Sequence, residues 1–217
     1  MITRLQEKYK LSLSNDNKDI YNATRVFETF NSIIKEFYNE DFKNKKVLDL
    51  GEGDGSFLSV LKTNQIKGEG LDIEKVDFEK DRFPIEDSSI DIITSNSVVE
   101  HLKDVSNFFN ESRRVLKKDG IMILVTPNFK YSYQNFYDDS THVNPFTPIK
   151  LNETLNLFNF KKNKVLPWLV KKNPKIWRLP FAFFYARYLL IARNDTKIPL
   201  PSFLKGKSDV MISISKK

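Results

Sequence analysis

The chain has no cysteine. That excludes a disulfide scaffold, a thiolate metal site, an iron–sulfur cluster and a cysteine nucleophile, and it fits a reducing compartment. Histidine is nearly as scarce. His101 and His142 are the two present, so a multi-histidine metal site is hard to build and no metal is expected. Long apolar runs are also missing. The most apolar stretch, Phe181 to Ala192, is twelve residues long and is broken by Arg187, against the ~20 residues a bilayer span needs. Met1 to Lys18 has no apolar h-region, so no secretory signal is read and a cytoplasmic location is expected. What remains is 217 residues, 40% hydrophobic and 29% charged. That suits one domain with a packed core.

The net charge of +7 is unevenly spread. Residues 161–217 carry 14 Lys/Arg against Asp195 and Asp209, a net +12, which leaves −5 on residues 1–160. A basic last quarter on an acidic body suggests an anionic partner: a phosphorylated small molecule, an acidic membrane surface or nucleic acid. A solvated face that keeps the protein soluble is the plain alternative.

Apolar spacing predicts a helix over Asp19–Glu40, with Val26, Phe27, Phe30, Ile33, Ile34 and Phe37 on one stripe. Strands and helices then alternate. Val47–Leu50, Gly68–Ile73, Ile90–Thr94 and Ile121–Val125 read as strands; Ser56–Lys62 and the stretch through Val105 and Leu116 read as helices. Asn128–Pro148 is a long connection rich in Tyr, Asn, Asp and Ser, of the kind that more often carries function than not. A helix over Ile149–Leu157, a strand near Phe160–Leu166 and a last strand over Val210–Ile214 follow. The expected fold is α/β: a Rossmann-like, seven-stranded, mostly parallel sheet with helices on both faces. Its expected parts are an N-terminal arm and helix (1–43), a core (44–166), a basic aromatic helical insertion (167–207) and a last strand (208–217).

The chemistry begins at VLDLGEGDGSF, residues 47–57, where Gly51, Gly53 and Gly55 lie between a buried strand and a helix. Glycine permits so sharp a turn and so close an approach to a ligand. The third glycine comes one residue earlier than in the dinucleotide fingerprint, and Asp49 precedes the first. An acid there would repel a pyrophosphate but suits a cationic ligand. Asp72 ends the next strand, where acids accept ribose hydroxyls in nucleotide-binding α/β folds. Asp77 and Phe78 could hold an adenine by its amino group and its face.

The motifs VLDLGEGDG, GLDI, FPIEDSSIDIITSNSVVEHL and RRVLKKDGIMILVTPN together resemble the class I S-adenosylmethionine-dependent methyltransferases, in the broad UbiE-like (methyltransferase type 11) group. The resemblance covers roughly residues 44–166. It implies S-adenosyl-L-methionine as cofactor, with its methionine part on Asp49, Gly51, Glu52 and Gly53. Asp72 with Ile73 would take the ribose side, and Ser95–Asn96–Ser97 would lie under the methyl donor. Glu52 departs from the family, where cysteine or alanine is common; it would contact the cofactor's ammonium or point to solvent.

Methyl transfer needs alignment and, for a hydroxyl acceptor, a base near neutral pKa. The catalytic candidates are His142, in the long loop, and then His101, in Glu100-His101-Leu102. Each also has a structural reading, His101 as cofactor-pocket packing above all. Tyr131, Tyr133 and Tyr137 could line the same pocket. The loop Asp138–Val143 with the following Phe146-Thr147-Pro148 resembles methyltransferases of surface-glycan biosynthesis, which implies a small anionic sugar acceptor and O- or N-methylation. An RNA or other macromolecular methyltransferase, and a non-catalytic binding domain, are the rivals. The insertion interleaves Trp168, Trp177 and Tyr185 with Lys171, Arg178 and other bases. It reads as a lid over an anionic acceptor, an interfacial membrane helix, a nucleic-acid contact, or plain packing on the sheet or in a homodimer.

Overall fold

The computed structural model describes residues 16–168, 192–193, 205–207 and 209–217. Helix α1 (Asp16–Tyr38) precedes β1 (Lys46–Leu50), α2 (Ser56–Thr63), β2 (Lys67–Leu71) and β3 (Ile90–Asn96). A 3-10 turn (Val99–His101), α3 (Ser106–Val115) and β4 (Leu116–Pro127) follow. The long connection is not irregular throughout: it contains α4 (Phe129–Ser132) and a second 3-10 turn (Phe136–Asp138). Helix α5 (Pro148–Leu157) starts where Thr147 Oγ1 accepts from Lys150 N and Pro148 opens the first turn, a normal start signal. Strand β5 (Lys161–Pro167), the short parallel pair β6 (Ala192–Arg193) and β7 (Lys205–Lys207), and β8 (Val210–Lys216) complete the described elements.

The main sheet has the order β2-β1-β3-β4-β8-β5. Strands β2, β1, β3 and β4 run parallel, and β8 runs antiparallel to both β4 and β5. Strand β4 shows why its sequence reads as a continuous apolar run. Ile121, Ile123 and Val125 face one layer, with Phe30, Ile33 and Ile34 of α1 and Leu61 of α2. Met122 and Leu124 face the other, with Phe108, Phe109, Leu151 and Leu155. Both faces are covered, so apolar residues occupy both alternations. Trp168, the first described aromatic of the predicted insertion, is buried and packs on Phe30 at 5.6 Å between ring centroids. It belongs to the core. The rest of the insertion, residues 169–191 and 194–204, and the arm at 1–15 lie outside the described residues. No described helix is long and apolar enough to cross a membrane.

Among the described residues the sheet has six strands where seven were expected. Beyond β2, residues 72–89 run through turns and coil. Two side chains of α3 hold the backbone of that segment. The Arg114 guanidinium donates to Phe83 O (3.0 Å) and Ile85 O (2.9 Å), and Phe83 N donates to Glu111 Oε2 (2.8 Å). Pro84 has no N–H to offer a ladder. Arg114 also pairs with Glu111 and Asp87 while its side chain stays 15% exposed, so truncation would orphan several groups at once. Arg114→Ala should cost about 2–4 kcal/mol, read as a lower denaturant midpoint at unchanged slope. Arg114→Lys should recover less than half, because an ammonium cannot span two carbonyls and two carboxylates.

Candidate active site

Strand β1 delivers its last residues into the glycine turn at the C-terminal edge of the sheet, where α/β folds bind ligands. Gly51 adopts φ +84°, and its N–H donates to Leu71 O of β2 (2.8 Å). A Cβ on Gly51 would collide with Val98 Cγ2, so both conformation and space demand glycine. Gly53 (φ +53°) and Gly55 (φ +75°) leave open space where a Cβ would point. The turn is tied to β2 a second time, by Gly53 N donating to Asp72 Oδ2 (2.9 Å).

Asp49 lies beneath this turn, 6% exposed, with Oδ1 accepting from Thr94 Oγ1 of β3 at 2.7 Å. Burial pushes its carboxyl up to about 7, against the lowering effect of Thr94 and with help from the negative charges of Glu52 and Asp72. Asp72 also accepts from Ile73 N (2.6 Å), and the Ile73 side chain, half exposed, stands beside it. The Ser95 hydroxyl, on β3 next to Thr94, is buried and has no hydrogen-bond partner among the described residues. Asn96 ends β3 at the surface, beside the Ser97 hydroxyl (3.4 Å). A cradle of left-handed glycines with two acids, Asp49 and Asp72, beside it fits a cationic nucleoside ligand.

Three expectations sit differently. The Glu52 carboxylate neither reaches into the cradle nor lies free in solvent; it pairs with the Lys75 ammonium above Gly70. Phe78 does not offer a face to an adenine. It is buried edge-to-face against Phe83 and Phe108, because the turn segment at the β2 edge needs an apolar anchor. Asp77 is engaged with Lys80 (2.9 Å) and with Glu79 N, and these contacts hold its carboxyl below the usual range.

The two histidines come from distant parts of the chain and meet at the same edge. Their ring centroids are 4.8 Å apart. Buried Val98, Val99 and Leu102 anchor the 3-10 turn that carries His101. The carbonyl of Glu100 stitches the long loop onto that turn, accepting from Val143 N (2.9 Å) and Asn144 N (3.0 Å). His142 Nδ1 donates to Phe136 O at 2.7 Å, and its ring lies on Phe136 at 4.6 Å. The Thr141 hydroxyl donates to Asp139 Oδ1 (2.6 Å), so it accepts from His101 Nδ1 (2.9 Å). Both rings therefore donate from Nδ1, which leaves Nε2 as the nitrogen not held by these contacts. Burial, then the neighbouring His142, lower the pKa of His101, so it is neutral at pH 7.

Glu100, quoted in the sequence motif but assigned no role there, is fully buried. Its Oε2 accepts from Thr126 Oγ1 (2.9 Å), and burial raises its pKa. Thr94, Thr126, Asp139 and Lys75 were likewise missed; each is an ordinary polar residue whose partner is set by the tertiary fold. Tyr133 and Tyr137 are well exposed, at 58% and 61%, and rim the loop. Tyr131 is half-buried, with the Lys130 ammonium over its ring.

A buried acid under a left-handed glycine turn, a second acid after β2 and a mixed sheet whose one reversed strand, β8, lies between β4 and β5 are features of the S-adenosylmethionine-dependent methyltransferase class. Residues 22–165 match the methyltransferase domain family, and the chain belongs to it. It is 28% identical over 130 residues to a ubiquinone biosynthesis O-methyltransferase of Pelagibacter ubique, covering 50% of this chain and 54% of that one. It is 30% identical over 115 residues to a Mycobacterium tuberculosis protein described as a probable S-adenosylmethionine-dependent methyltransferase, covering 47% and 41%. The chain thus spans about half the length of the curated relatives it matches. A solved methyltransferase of Archaeoglobus fulgidus shares the fold, with TM-score 0.58 at 22% identity over 88% of this chain and 94% of that one. An N-methyltransferase of Haemonchus contortus, solved with phosphomonomethylethanolamine and S-adenosylhomocysteine, aligns with TM-score 0.51 at 15% identity, over 86% and 51%. The chain therefore carries a methyltransferase domain of the kind found in S-adenosylmethionine-dependent enzymes.

The raised Asp49 carboxyl has a signed consequence. Its folded-state pKa of about 7 lies above the ordinary 3.8, so ionisation costs folding stability as pH rises through that interval. A cationic ligand favours the ionised form and binds better at high pH. S-adenosylmethionine affinity should fall roughly ten- to thirtyfold from pH 7.5 to 5.5, with proton release on binding near pH 6.5, measured calorimetrically. Asp49→Asn should flatten that dependence. Gly51→Val should abolish binding in protein that still shows a folded circular dichroism spectrum.

Proposed function

We propose that the enzyme methylates the hydroxyl, or less readily the amine, of a small anionic acceptor, a sugar or glycan precursor. The observation that carries this reading is the free Nε2 of His142 beside Glu100 and His101, at the sheet edge that also bears the cofactor cradle. The net +12 on residues 161–217 supports an anionic acceptor. The name of the Pelagibacter ubique relative, an O-methyltransferase, supports oxygen as the methylated atom.

S-adenosylmethionine supplies a methyl carbon activated by an adjacent positive sulfur. The chain has to align the acceptor and dispose of its proton. His142 Nε2 takes that proton as the acceptor oxygen forms its bond to carbon and the carbon–sulfur bond breaks. The imidazolium that results faces the carboxylates of Glu100 and Asp139, whose Oδ2 stands 3.8 Å from Nε2. Phe136 O keeps the ring in the tautomer that presents Nε2.

His142→Ala should lower kcat by about 10²–10⁴ in an assay of labelled methyl transfer to nucleotide sugars, sugar phosphates and phenolic acceptors. S-adenosylmethionine affinity should change less than threefold. A kcat retained in His142→Ala contradicts the assignment. Nucleic acid is the second reading, favoured by the basic last quarter. It requires polyanion binding that falls steeply with salt, and a flat salt dependence dismisses it.

A further inference from the structure

We propose that Glu100, His101 and His142 bind a divalent first-row transition-metal cation whose open positions take the oxygen of the methyl acceptor. The metal site stands on its own geometry; its use by the acceptor rests on the methyl-transfer reading above. One ligand-capable atom from each of the three residues lies within 4.8 Å of those of the other two. Donors held about 2.1 Å from a common ion stand roughly 3–4.3 Å apart. Side-chain rotations of about half an ångström therefore bring the three onto one centre.

The surroundings are those of ligands held ready. Glu100 is fully buried, and its Oε1 has no hydrogen-bond partner among the described residues. A carboxylate oxygen left bare in the interior is costly unless something positive meets it. The other oxygen is fixed by Thr126 Oγ1. Each imidazole has its Nδ1 committed, His142 to Phe136 O and His101 to Thr141 Oγ1 and Thr141 O (3.2 Å). Such outer contacts orient metal-binding histidines and fix the tautomer that presents Nε2. Two nitrogens and one oxygen favour zinc, cobalt, iron or nickel over magnesium. Three protein ligands leave at least one position open, as in catalytic rather than structural sites.

With a cation bound, His142 Nε2 is a ligand, which replaces the base role given to it above and keeps only the methyl-transfer reading. The acceptor's hydroxyl oxygen coordinates, its proton passes to solvent water, and the resulting alkoxide or phenolate is held against the methyl donor site at Ser95–Ser97. The acceptor class narrows to one whose reacting oxygen can bind a metal, a sugar diol or a catechol-like pair of oxygens.

The chain offers a clean test, since it holds no cysteine and no third histidine. Tag-free full-length protein, stripped with chelator, is titrated with Co²⁺ and followed by visible absorption, with Zn²⁺ as competitor and Mg²⁺ as control. The expected result is one equivalent of Co²⁺ with a nitrogen-ligated spectrum, displaced by Zn²⁺ and untouched by Mg²⁺. Affinity should drop at least about 100-fold in His101→Ala and His142→Ala. Glu100→Gln, which keeps an acceptor for Thr126, should also weaken it. S-adenosylhomocysteine binding in each variant reports that the fold is intact. No Co²⁺ binding to wild type, or binding that survives both histidine variants, overturns the site while leaving the methyltransferase reading standing. Co²⁺ binding without S-adenosylhomocysteine binding does the reverse.

Discussion

The close approach of Gly51 to Val98 is the contact on which both halves of the active site depend. With no Cβ, Gly51 takes a left-handed turn directly against the Val98 side chain. On one side that turn hands its N–H to Leu71 O and places Gly53 on Asp72. On the other, Val98 begins the short turn that carries Glu100 and His101. A single backbone position thus sets the cofactor cradle and the histidine pair at a fixed separation along one sheet edge. The sheet supplies the rigidity. Strands β1, β3 and β4 are buried on both faces, and the site hangs from their ends.

Electrostatics divides this edge in two. Asp49 and Asp72 form an acidic cradle in which burial raises the Asp49 carboxyl to about 7. Glu100 and Asp139 form a second acidic region around the two imidazoles. A cationic cofactor suits the first. The second suits a proton or a metal ion being passed or held while an acceptor is alkylated.

Much of the fold could be read from the chain, because period and punctuation match the elements they predict. Ile121–Val125 alternates between two apolar layers, and Thr147-Pro148 starts a helix where such a pair should. The path of residues 72–89 could not be read from sequence, since Arg114 and Glu111, distant in the chain, hold the backbone of Phe83 and Ile85. Phe78 was misread for a similar reason: an aromatic next to an acid looks like an adenine clamp until its ring is found in the core. The glycine turn was legible because local conformation decides it. The meeting of His101 with His142, and the bare oxygen of Glu100, were not, since both arise when Glu100 O stitches the loop after β4 to the turn after β3.

A crystal structure with S-adenosylhomocysteine measures the central claim directly, that one sheet edge joins a cofactor cradle to a transfer site. The ligand should lie across Gly51 and Gly53, with its ribose on Asp72 and its sulfur turned toward the His101–His142 pair. A ligand bound elsewhere, or one whose sulfur faces away from both histidines, would contradict it.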